Sequence, residues 1–119
     1  MSNSIEEVNS RIQKFADDRD WDQFHTLKNL LLALVGEVGE LAEIIQWKTD
    51  SEVAEYLNTF EGAQAVSEEL ADIAIYLLRL SQKAEINILE AIILKLEANE
   101  LKYPVNLSKG NSKKYTELS

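Results

Sequence analysis

Apolar residues recur three and four positions apart along most of this chain, a rhythm that suits amphipathic helices and not alternating strands. Ser4-Ile5-Glu6-Glu7 reads as a capping box, and Ile5, Val8, Ile12 and Phe15 continue it as a helix over residues 5–17. The cluster Asp17-Asp18-Arg19-Asp20 ends that helix, and Trp21 to His25 form an aromatic connector. Thr26 caps a second helix that runs to Lys48. Its apolar sector (Leu27, Leu30, Leu31, Leu34, Val35, Val38, Leu41, Ala42, Ile45) is wider than a surface helix needs. Residues 49–64 are polar and weakly periodic, with one helical turn expected between Glu52 and Leu57. A third helix is expected over residues 65–83. A second capping box, Asn87-Ile88-Leu89-Glu90, opens a fourth that ends near Lys102, ahead of Pro104. With 4 Gly and 1 Pro the chain lacks the turn chemistry of a β-sandwich. The expected fold is an all-α four-helix bundle.

A chain of 119 residues has room for one core, so residues 1–119 are expected to form a single domain with a short basic tail over 104–119, carrying Lys109, Lys113 and Lys114. The absence of Cys removes disulfides, thiolate zinc sites and cysteine nucleophiles together, and one His cannot build a multi-histidine metal centre. A net charge of −9 repels nucleic-acid backbone and anionic membrane, so neither polymer nor lipid is an expected partner. The longest apolar run, Leu30 to Val35, is too short to span a bilayer, and no signal peptide opens the sequence; a soluble cytoplasmic protein is expected.

Two acidic pairs break the apolar pattern. Glu37 and Glu40 lie on the second helix, Glu69 and Asp72 on the third, and each pair is spaced i, i+3, which puts both carboxylates on one helix face. Leu30, Leu34, Leu41 and Ile44 share the face of Glu37; Val66, Ile73, Tyr76 and Leu80 share that of Glu69. Ionised carboxylates brought together in a part-apolar setting repel one another and lose hydration, so protons or cations must offset them. No Arg or Lys is expected on those faces. Oxygen-only donors favour a hard divalent ion, Mg²⁺ or Mn²⁺, over zinc or copper. A di-iron centre would need Glu-x-x-His pairs, and neither acidic pair is followed by a histidine.

Glu37-Val38-Gly39-Glu40 and Glu69-Leu70-Ala71-Asp72 match the E-x-x-E…E-x-x-D signature of the all-α nucleoside triphosphate pyrophosphohydrolases, the MazG-like helical enzymes. The resemblance extends through Arg19 to His25, Leu30 to Gly39, Gln46-Trp47-Lys48, Ile75-Tyr76-Leu77, Tyr103-Pro104 and Lys113-Lys114-Tyr115, and is similar to the dCTP pyrophosphatase branch. It implies hydrolysis of a nucleoside triphosphate, dCTP or a modified dCTP, to monophosphate and pyrophosphate, with Mg²⁺ held by Glu37, Glu40, Glu69 and Asp72. The charge balance agrees: a triphosphate and four carboxylates cannot approach one another without cations between them. No catalytic residue is assigned beyond those ligands, one of which would accept the proton of the attacking water. The resemblance also places the Trp21-to-His25 connector and Tyr76 at the substrate. Trp21 and Trp47 are stacking platforms for a base, His25 a donor, and Lys95 and Asn99 fit phosphate, sugar or base. Relatives in that branch can carry a histidine where this chain has Ile12. The resemblance further implies a homodimer or homotetramer, in keeping with more apolar surface on the second and third helices than four short helices can bury. The competing reading is a non-catalytic helical nucleotide-binding or adaptor protein that merely keeps the bundle.

Overall fold

The computed structural model describes residues 4–117. Among them there is no strand, and the chain forms six helices where the sequence pattern predicts four. These are α1 (Ile5–Asp18), α2 (Leu27–Ile45), α3 (Asp50–Leu57), α4 (Phe60–Lys83), α5 (Ile88–Lys102) and α6 (Val105–Ser108). Short 3-10 turns occupy Asp22–Phe24 and Tyr115–Glu117. No helix among the described residues is long and apolar enough to cross a membrane.

Side-chain caps set the helix starts. Ser4 Oγ accepts from the Glu7 amide at 3.1 Å and Thr26 Oγ1 from Asn29 at 3.1 Å, so α1 and α2 begin where the sequence predicts. The end of α2 is a correction. The helix stops at Ile45, three residues short of Lys48, and Trp47 lies in the turn that follows. Residues 49–64 are the second correction. Thr49 and Glu52 form a reciprocal capping box (Glu52 N to Thr49 Oγ1 at 3.2 Å, Thr49 N to Glu52 Oε1 at 2.9 Å), which makes α3 a full helix. Thr59 then caps α4 through the Gly62 amide at 2.9 Å, and the helix starts at Phe60 rather than at Ala65.

The chain divides into two compact units, one up to Glu85 and one from Ile86 onward. In the first, α4 is the central element: α2 packs along it most extensively, and α3 and α1 also lie against it. Leu30 and Ala16 are its fully buried apolar side chains. Asp20, just past α1, sits in the left-handed region at φ 54°, a conformation Asp tolerates, and the Trp21 amide turns back to the Ala16 carbonyl at 2.9 Å. That reversal is what carries the aromatic connector back toward the helices.

The α3–α4 contact is tight enough to dictate one residue. A Cβ on Gly62 would stand 2.0 Å from the Tyr56 carbonyl oxygen, a contact with backbone that no side-chain rotation relieves. Gly62→Ala should therefore destabilise the fold by about 1–3 kcal/mol, read as a lowered urea midpoint, although alanine is the better helix former. An unchanged midpoint would show that α3 does not press on α4 in solution.

In the second unit, Asn87 caps α5 by accepting from the Glu90 amide at 3.1 Å, and Tyr103 and Pro104 separate α5 from α6. The Tyr103 and Tyr115 rings meet edge to face at 6.3 Å, and Lys102 Nζ lies 5.1 Å from the Tyr115 ring centroid.

Candidate active site

The packing of α2 on α4 brings acidic groups from both helices to one point. Glu37, Glu40 and Glu69 each direct a carboxylate oxygen to within 4.8 Å of the others. Glu37 and Glu69 are half-buried, whereas Glu40 is exposed. The cluster therefore sits at the rim of the helix contact, less deeply than the apolar neighbours of Glu37 suggest. Glu37 Oε2 and Glu69 Oε2 are shielded from solvent and have no hydrogen-bond partner among the described residues. Two buried carboxylate oxygens left unpaired cost stability unless something else satisfies them. Desolvation pushes the Glu37 carboxyl up to about 7, helped by the adjacent Glu69 and Glu40 and by the charge of Asp72. Asp72 stands outside the tight triad yet close enough to act on Glu37.

Asp72 also faces the other half of the site. A cavity of about 210 Å³ lies between α1, the connector and α4. Ile12, Phe15, Trp21 and Ile75 give it apolar walls, and His25, Asp72, Tyr76 and Arg79 supply its polar groups. The Phe15 and Trp21 rings meet at 5.6 Å and 75°, and Trp21 and His25 at 6.4 Å and 66°, so the connector's aromatics brace one another. An apolar slot with a few convergent polar groups suits a small planar ligand. Asp72, lining the slot and acting on Glu37, joins it to the acidic cluster.

Four residues expected at the substrate or metal (Trp21, His25, Asp72 and Tyr76) thus share one cavity. Trp47 does not line it and is 88% exposed. With α2 ending at Ile45, Trp47 loses the helical register that would have aimed it. Lys95, exposed, and Asn99, half-buried, lie on α5 in the second unit.

Arg79 corrects the expectation that no cation shares these faces. It follows Asp72 by seven residues and Tyr76 by three, spacings that return to the same helix face, and only 3% of it is exposed. Its Nη2 donates to Asp22 Oδ1 at 2.8 Å, its Nη1 to Gln82 Oε1 at 3.0 Å and its Nε to His25 Nδ1 at 3.0 Å. Lys83 Nζ reaches the same Asp22 oxygen at 2.7 Å. The hydrogen bond from Lys83, aided by its charge and that of Arg79, holds Asp22 below the usual carboxylate range against the opposing effect of desolvation. Burial and the Arg79 charge lower the His25 imidazole in turn, with Asp22 opposing. The signal was present in the Asp72-Tyr76-Arg79 spacing, but a basic residue on an apolar helix reads as a solvated one until its partners are known.

A helical frame that gathers carboxylates beside an aromatic slot has the parts of an all-α enzyme with an acidic, metal-assisted centre. A MazG-like family model matches residues 33–118. The mouse dCTP pyrophosphatase 1 is 45% identical over 115 residues, spanning 97% of this chain and 68% of that protein; the human dCTP pyrophosphatase 1 is 44% identical over the same span. A crystal structure of a pyrophosphatase from Archaeoglobus fulgidus superposes with a TM-score of 0.79 at 44% identity, covering 87% of this chain and 95% of that one. The chain belongs to the MazG-like family, and it is an enzyme of the nucleoside triphosphate pyrophosphohydrolase class.

Proposed function

We propose that this enzyme hydrolyses dCTP or a modified dCTP to the monophosphate and pyrophosphate, clearing such nucleotides from the cytoplasmic pool. The observation that carries the reading is the pair of shielded, unpartnered carboxylate oxygens on Glu37 and Glu69, set beside a cavity that Asp72 shares. The likeness to the mammalian dCTP pyrophosphatases supports the choice of base.

The donor set fits a hard divalent cation: several oxygens, no nitrogen or sulfur, and a charge that repels itself when empty. Glu37, Glu40, Glu69 and Asp72 would hold Mg²⁺, or Mn²⁺ in its place. Bound there, the ion would offset phosphate charge and favour ionisation of the attacking water. One of these four carboxylates would accept the proton of the attacking water. Trp21 and Phe15 would take the base against their rings, and Tyr76 and His25 would offer polar contacts to sugar or base. By side-chain chemistry, Trp47 would offer a further stacking surface, and Lys95 and Asn99 would suit phosphate, sugar or base. Family resemblance supports self-association into a dimer or tetramer, for which the exposed Leu31, Leu32, Val35 and Val38 of α2 supply apolar surface.

A turnover panel tests the reading. Each canonical and methylated dNTP is incubated with the enzyme and Mg²⁺, and pyrophosphate is measured. Release from dCTP or a methylated dCTP at a kcat/KM above that of the other bases is expected. Folded protein releasing pyrophosphate from none of them would leave the non-catalytic alternative standing.

A further inference from the structure

The buried Arg79 has no part in the reaction as described, yet its donors are committed to the wall of the cavity. Each of its three guanidinium nitrogens bonds to a protein acceptor: His25, Gln82 and Asp22. Gln82 in turn donates through Nε2 to the Asn9 carbonyl of α1 at 2.8 Å, so the guanidinium is anchored to the connector directly and to α1 through Gln82. A side chain engaged in this way is poorly placed to clamp a phosphate. The bond to His25 has a chemical consequence. A guanidinium in a protein stays protonated and can only donate, so the Nδ1 it reaches must carry a lone pair. The one remaining N–H of the imidazole is then on Nε2, which has no protein partner among the described residues.

We propose that Arg79 is a positioning residue for His25, fixing the Nε2–H tautomer so that the cavity offers one permanent donor to an acceptor atom of the nucleoside. The proposal rests on the reading of the cavity as the nucleoside's site. A histidine free in solution interconverts between tautomers and takes up a proton near neutrality, and either change would alter the pattern a base meets. Burial and Arg79, with Lys83 behind it, disfavour the imidazolium and together outweigh the opposing charge of Asp22, which both cations engage. Asp72, on the same cavity wall, would favour the imidazolium and would lose that influence once a cation neutralised it. Ile12, on the α1 wall, is apolar and adds no polar group to the cavity.

The test begins with the ligand-free full chain, using long-range proton–nitrogen correlation spectra of its single histidine. At pH 7 the wild type should show one tautomer, with the proton on Nε2. Arg79→Met should show exchange between tautomers, whereas Asp22→Asn, which keeps the Arg79–His25 bond, should not. A wild-type ring protonated on Nδ1, or averaging between tautomers, overturns the proposal whether or not Arg79→Met folds. The second readout is a double-mutant cycle in nucleotide turnover. Arg79→Met should raise KM by about 5-fold, the worth of roughly one hydrogen bond, with a smaller effect on kcat, and should add nothing further in a His25→Ala background. Full additivity of the two substitutions overturns the route through His25. A locked tautomer combined with a KM that His25→Ala does not move overturns instead the nucleoside reading of the cavity, and the recognition role with it.

Discussion

Glu69→Gln should abolish pyrophosphate release while leaving the helices in place. Glutamine matches the shape of glutamate, so α4 keeps its packing, but the amide brings neither the charge nor the second equivalent oxygen that a cation site requires. Loss of an outer-shell partner alone typically costs a metal site about 10–100-fold, and loss of a ligand should cost more than that upper figure. Stability should move the other way. In the metal-free protein the Glu69 carboxylate stands against Glu37 and Glu40 with an unpartnered shielded oxygen, and removing its charge relieves that repulsion. The substitution should therefore lower turnover by more than about 100-fold and raise the metal-free Tm. Turnover within a few-fold of wild type would mean that catalysis does not run through this cluster.

Metal and pH should act on stability in opposite directions, and the raised Glu37 carboxyl fixes the sign. Its ordinary value is 4.5, and in the folded metal-free protein it is pushed up to about 7. Between those values the folded state holds a proton that the unfolded state has released. Raising pH across that window therefore withdraws stability from the metal-free protein, and the loss levels off above about 7. A divalent cation needs the ionised form, so its affinity should rise across the same window and then flatten. At pH 8, Mg²⁺ at about 100 times its Kd should add about 2.7 kcal/mol. For a chain of this size that corresponds to a Tm increase of roughly 10 °C, reversed by EDTA. Thermal unfolding at pH 5, 6, 7 and 8, with and without Mg²⁺, reads both trends. A metal effect that is absent at pH 8, or largest at pH 5, would contradict the assignment of Glu37.

The parts of the fold that were readable in advance are those in which local chemistry and burial agree. Ser4, Thr26 and Asn87 cap where a side-chain oxygen precedes an apolar rhythm, and Glu37, Glu40 and Glu69 fall together because α2 and α4 carry them where the two helices pack. What stayed hidden lay either in short local caps without a strong apolar rhythm or in contacts between distant segments. The helix α3 is only eight residues long, and Thr49-x-x-Glu52, which opens it, is a capping box that periodicity alone passes over. The early start of α4 is set by the Thr59 cap on the Gly62 amide, in a polar stretch that carries little apolar rhythm. Arg79 reads as a surface cation until Asp22 and His25, more than fifty residues earlier, are brought beside it. Trp47 shows the converse: its place near the end of an apolar helix suggested a platform reaching from α2, but the helix ends two residues before it.

The central claim is that acidic groups of α2 and α4 form one divalent-cation site beside the nucleoside cavity. Its most direct measurement is a titration with Mn²⁺ followed by electron paramagnetic resonance, in which free aqueous ion gives a signal that binding broadens away. Wild-type protein at pH 8 should deplete the free signal, with Mg²⁺ restoring it by competition, while Glu37→Gln and Glu69→Gln should each leave most of the ion free at the same concentrations. Equal Mn²⁺ uptake by the wild type and both variants would place the bound ion elsewhere on this acidic surface and contradict the account.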